Sequence, residues 1–109
     1  MELQLQSHAI ELDPASRELL EHSAARLDGR YPDFLLRLHA TVRRTPHHRT
    51  GSHTVTLLAN VKGGVLRAEK SAELPRQAIH AAFEALEHEL RRHHDELRLP
   101  TRGAADAGA

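Results

Sequence analysis

"FLLRLHATVRRTPHHRTGSHTVTLLANVKGG", residues 34–64, holds two alternating runs joined by a polar segment and closed by glycines. In the first run Leu36, Leu38, Ala40 and Val42 share one side of a pleat, and Arg37, His39, Thr41 and Arg43 share the other. Val55, Leu57, Ala59 and Val61 repeat the pattern in the second run. A period of two over this length belongs to half-buried strands, so residues 35–44 and 53–62 are expected to pair as an antiparallel hairpin. Its loop is "RRTPHHRTGSH", residues 43–53, with three Arg, three His and no acid. "KGG" at 62–64 is a tight turn, because glycine adopts φ > 0 without a steric penalty. "VLRAEK" then reads as a short fourth strand.

The flanks complete the pattern. "ELQLQS" alternates, with Leu3 and Leu5 on one side, as a first strand. "DPASRELLEHSAARLDG" offers Asp13 as N-cap and Pro14 at the first helical position, where a missing N–H costs nothing. Leu19, Leu20, Ala24 and Leu27 recur at helical spacing, and Gly29 is the expected stop. "LPRQAIHAAFEALEHELRRHHDEL" places Ile79, Ala82, Phe83, Leu86, Leu90 and Leu97 on one helical face. The order β-α-β-β-β-α predicts an α+β fold, a four-stranded sheet with two helices packed on one face. One domain over residues 1–98 is expected. Residues 99–109, "LPTRGAADAGA", are too poor in apolar mass to dock and read as a flexible tail.

Composition narrows the function. The 109 residues contain no Cys, so no disulfide or thiolate metal site holds the fold, and a reducing cytoplasm is the expected compartment. "MELQLQSHAIELD" has no apolar h-region and no stretch reaches 18 apolar residues, which argues against export and membrane insertion. The aromatics are Tyr31, Phe34 and Phe83, too few for a surface that stacks bases. Lys+Arg and Asp+Glu number 15 each, yet from Phe34 to Ala68 there are six cations, Arg37, Arg43, Arg44, Arg49, Lys62 and Arg67, and no acid. Such a block predicts an anionic partner. Strand alternation would carry Arg37, Arg43, Lys62 and Arg67 to the helix-free side of the sheet.

At these residues the chain resembles the ribosome hibernation-promoting factors, the family that includes the ribosome-associated inhibitor protein Y. The order of elements, "ELDPASRELLEHSAARLDGRY", "GGVLRAE" and "AIHAAFEALEHELRRHHDEL" carry the resemblance, which runs from about Met1 to Leu97. It implies a cytoplasmic, non-catalytic translation inhibitor of stress and stationary phase, without cofactor or small-molecule substrate. Its partner would be the small ribosomal subunit, bound through rRNA near the decoding centre so that mRNA and tRNA are excluded. The chain is similar to the short form, without the long form's second domain. It departs from the family where an acid–Met–Tyr–Ala–Ala–Ile–Asp run usually opens the last helix; "LPRQAIH", Leu74 to His80, stands there, with Pro75 available to fix φ in the first turn. Ser23, Ala85 and His88 stand where the family places Lys or Arg, while Arg17, Arg26, Arg92 and partly His94 keep the charge.

The candidate RNA-binding residues are therefore Arg17, Arg26, Arg37, Arg43, Arg44, His47, His48, Arg49, Lys62, Arg67, His88, Arg91, Arg92 and His94. Each has a plainer reading. The mid-chain cations could be solubility charges on a solvated sheet face, and Arg91, Arg92, His93 and His94 could complement a helix C-terminus. A diverged, non-catalytic protein-interaction module on the same fold is the competing class. A metal site is not expected: His80, Glu84 and His88 share a helical stripe, but His88 and His93 are five apart and diverge, and no Cys assists. Histidine substituting for Lys and Arg opposite phosphate fits the ten His better. No nucleophile–base pair, phosphate-cradling glycine loop or spaced carboxylate pair is present, so no enzymatic activity is expected.

Overall fold

The structure is a computed structural model describing residues 1–8, 10–44 and 52–98. Its elements are β1 (Glu2–His8), α1 (Pro14–Arg30), β2 (Leu35–Arg44), β3 (His53–Val61), β4 (Gly64–Ala72) and α2 (Pro75–Arg98). They form one four-stranded sheet in the order β1-β2-β3-β4. The β2–β3 hairpin has Val42 opposite Val55 and Ala40 opposite Leu57. β3 and β4 pair antiparallel around the Lys62–Gly63 turn, where Gly63 takes φ 89°. β1 runs parallel to β2, with Leu3 opposite Leu38. The intervening α1 makes this possible, because a parallel neighbour requires a long crossover rather than a hairpin. The sheet is thus mixed, with its antiparallel run confined to β2, β3 and β4.

The helix-facing side of the sheet is the core. Leu38, Ala40, Val42, Val55, Leu57 and Ala59 are fully buried, and α1 adds Leu20, Ala24 and Leu27. From α2 come Ala78, Ile79, Ala82, Phe83, Leu86 and Leu90. Each large aliphatic side chain so buried contributes roughly 1.5–3 kcal/mol. One residue departs from the alternation. Leu35, not Leu36, is buried, and Leu36 is 49% exposed. The β2–β3 register shifts between Leu35 and Arg37, so two residues occupy the space of one and Leu36 is pushed out of the core.

Local signals fix the helix ends. The Asp13 carboxylate accepts from the Ser16 backbone N–H (3.2 Å) and hydroxyl (2.6 Å), with Pro14 at the first helical position. The Ser16 hydroxyl is the main reason that the Asp13 pKa lies below the ordinary carboxylate value. Gly29 does not stop α1, which continues to Arg30 and is capped by the Tyr31 N–H donating to the Leu27 carbonyl. Asp33 makes the corner into β2 at φ 63°, a left-handed conformation that Asp tolerates better than most residues. α2 begins at Pro75 with no acid in its first turn. Its far end is held by an aromatic cluster: His94 meets Phe34 (5.0 Å) and Tyr31 (5.4 Å) edge-on, and His93 lies 6.0 Å from Phe34.

Among the described residues no helix is long and apolar enough to cross a membrane. The expected tail, 99–109, lies outside the described residues, and so does the side chain of Leu97.

Candidate nucleic-acid interface

Strand direction divides the predicted cations among several surfaces. β2 ends at Arg43 and Arg44, and both are exposed. Neither has an ion-pair partner among the described residues. His47, His48 and Arg49 continue the chain from this end but lie outside the described residues. Lys62 is exposed in the β3–β4 turn, at the opposite end of the sheet. The ten residues of β2, at about 3.3 Å each, put these two ends roughly 30 Å apart. Arg37 and Arg67 lie nearer the Lys62 end. Arg37, Arg43 and Arg67 do share the helix-free side of the sheet, as strand alternation suggests, but they are spread along it and do not gather at one edge.

Ion pairs between and along the strands also change the charge balance. Arg37 Nε lies 3.3 Å from Glu2 of β1, and Arg67 donates to Glu69 at 2.9 Å. Glu69 additionally accepts from the Thr56 hydroxyl at 2.7 Å. The acid-free stretch in sequence is thus not acid-free in space, because β1 and the second half of β4 bring carboxylates to the same sheet. Leu58 and Val65 are exposed on these strands, and with Leu36 they leave the Lys62 end partly apolar. Histidines on the sheet are engaged as well. His39 Nε2 lies 3.2 Å from the Gln6 side-chain oxygen, and the His53 ring lies 2.8 Å from the Glu73 carbonyl oxygen through Nδ1.

On the helices, Arg17 and Arg26 are exposed on α1. Arg26 borders a small cleft between the helices with Ser23, His80, Glu84 and Glu87. Arg30, which the sequence did not single out, bonds Glu87 of α2. Arg92 is held by Glu89 at 2.6 Å. His94 belongs to the aromatic cluster and has Asp95 at 4.0 Å. α2 continues to Arg98, so His93 and His94 owe their position to packing rather than to the helix terminus. His88 and Arg91 line a separate groove against β4 with Arg67 and Lys70. Lys70, which no sequence pattern singles out, shares the pleat side of Leu66 and Ala68.

Two observations bear on the family departures. Ser23 is buried between the helices, so a long basic side chain there would need a different helix seam. Ala85 is half-buried against the core and His88 is exposed, positions that could each carry a charge. Phe34 and Phe83 are buried and Tyr31 is half-buried, so the rings serve packing and none forms an open stacking platform. No group of three or more His, Asp or Glu is placed to hold a metal ion among the described residues.

A mixed four-stranded sheet under two helices, with cations distributed over its end and its helix layer, defines a class of small α+β proteins. Residues 3–98 match the family described as Sigma 54 modulation protein / S30EA ribosomal protein, and the chain belongs to that family, the one that includes the hibernation-promoting factors. A ribosomal subunit interface protein from Coxiella burnetii has the same fold, with TM-score 0.75 and 18% identity over 87% of this chain and 99% of that one. The Protein Y N-terminal domain of Thermus thermophilus is similar at TM-score 0.71 and 25% identity, covering 84% of this chain and 98% of that domain. No curated protein sequence matches the chain.

Proposed function

We propose that this protein binds the small ribosomal subunit through its rRNA and inhibits translation by occupying the path of mRNA and tRNA near the decoding centre. Family membership over residues 3–98 is the observation that carries this reading. The relatives named for a ribosomal subunit interface and for Protein Y agree with it. The loop end of the β2–β3 hairpin is the primary contact. There Arg43 and Arg44 are exposed and free of ion pairs among the described residues, and His47, His48 and Arg49 follow in sequence. Phosphate contacts need only correctly spaced point charges, and these residues supply them. Arg17, Arg26, Arg91 and Arg92 on the helices add weaker contacts.

The mechanism is steric and needs no reaction at the protein: a rigid wedge in an rRNA-lined channel excludes other occupants. It acts in the cytoplasm, without cofactor, and residues 1–98 suffice. Co-sedimentation with purified small subunits tests this directly. The protein should pellet with them at low salt, and prior binding should block mRNA and initiator tRNA. Pelleting that leaves mRNA and tRNA binding intact would remove the steric mechanism. Failure to pellet at any salt would favour the protein-interaction module, a reading that the Arg30–Glu87 and Arg92–Glu89 pairs on the helix layer also support.

A further inference from the structure

β4 is an edge strand, and among the described residues nothing pairs with its outer side. Such an edge leaves a row of backbone N–H and C=O groups directed outward. Natural edges are commonly kept very short, covered, broken by proline or lined with charges, and here Arg67, Glu69 and Lys70 supply the charges. This one runs nine residues, from Gly64 to Ala72, without a proline. Beside it, between β4 and α2, lies a groove of about 710 Å³. Ala68, Ala81 and Ala85 line it with small side chains, which leaves room along its floor. Lys70 stands on the strand side and Arg91 on the helix side. Arg67 is already engaged by Glu69, whereas Lys70 and Arg91 have no ion-pair partner among the described residues.

We propose that the β4–α2 groove receives an extended polypeptide segment, which adds to the free edge of β4 and brings an acidic side chain to Lys70 and Arg91. The backbone row of an edge strand is complementary to another polypeptide backbone, and strand addition of this kind uses flanking pockets to read alternate side chains. Four acids line the same groove, of which Glu69, Glu87 and Glu89 are held by Arg67, Arg30 and Arg92. This leaves Glu84 against Lys70 and Arg91, a balance that disfavours a polyphosphate but admits a single carboxylate. Small residues along the groove fit small apolar side chains at alternate positions. A strand-length segment covers far less than the roughly 800 Å² per partner of a standard stable interface, so the interaction is weak and reversible. The inference does not rest on the RNA reading, although Arg91 belongs to both and Lys70 lies level with Val42, close to the Arg43–Arg44 end of the sheet.

Two synthetic nine-residue peptides alternating valine and threonine, one with Glu and one with Lys at the centre, test it against the full isotope-labelled chain. The Glu peptide should shift the backbone amide resonances of residues 64–72 and bind at least about fivefold tighter than the Lys peptide. Lys70→Glu combined with Arg91→Glu should reverse that preference. Methylating alternate backbone nitrogens of the Glu peptide, which leaves the protein untouched, should abolish binding. The proposal is overturned if neither peptide shifts residues 64–72, or if the N-methylated peptide binds equally well. It is also overturned if a short single-stranded RNA produces the same shifts more strongly, or if the edge is instead filled by concentration-dependent dimerisation of the chain.

Discussion

Leu35 and Leu36 are chemically identical neighbours with opposite fates, and the difference is set by one extra residue in β2. Leu35 is 1% exposed and Leu36 is 49% exposed. Leu35→Ala should therefore cost about 2–5 kcal/mol, the usual range for emptying a core leucine site, whereas Leu36→Ala should stay within about 0.5 kcal/mol. Chemical denaturation of the two variants checks this, and equal losses would contradict the bulge. Asp13 supports a second expectation. Its pKa is lowered mainly by the Ser16 hydroxyl, so the charged form is favoured in the folded state. That contribution is fully present above the ordinary carboxylate pKa of about 3.9 and is lost as pH falls through the folded value. Asparagine keeps the cap without the titration. Thermal melting between about pH 3 and 6 should accordingly show a flatter acid limb for Asp13→Asn than for the wild type.

At the scale of elements, the strands and helices were legible because their periods are undisturbed. Val55, Leu57, Ala59 and Val61 alternate without exception, and Ile79, Ala82, Phe83, Leu86 and Leu90 hold one helical face; both sets are buried. The bulge at Leu36 was not legible, since neither residue of the Leu35–Leu36 pair breaks the hydrophobic pattern. The candidate site was less legible than the fold. Sequence runs report charge along the chain, while Glu2 reaches Arg37 from the neighbouring strand. Likewise Glu87 reaches Arg30 from another helix, 57 positions away. That pair leads to an expectation for the helix layer. Glu87→Gln removes an anion and releases Arg30, at a stability change of up to about 1 kcal/mol because Arg30 is exposed and Glu87 only partly buried. Affinity for small subunits should rise, with a salt slope steeper by up to about one unit, as filter binding across salt concentrations would show. An unchanged slope would mean that the Arg30 region does not approach phosphate.

For the molecule as a whole, charge and packing are assigned to different places. The two helices and one face of the sheet bury the apolar residues, and the aromatic rings are all used there. What remains for an anionic partner is the end of the sheet at Arg43 and Arg44, together with helix cations that are partly neutralised by their neighbours. On the proposed function, a protein with as many acids as bases offers RNA the loop end of the β2–β3 hairpin, where two adjacent arginines have no ion-pair partner among the described residues. The salt dependence of binding measures that concentration directly, because each neutralised phosphate releases counterions. Affinity for purified small subunits should be determined from low to moderate salt for the wild type and for Arg43→Ala, Arg44→Ala and Arg49→Ala combined. The triple variant should remain folded, bind at least about tenfold more weakly at low salt, and show a slope reduced by about one unit for each phosphate it no longer neutralises. Unchanged affinity and slope would show that the hairpin end does not touch the ribosome, and would contradict the account.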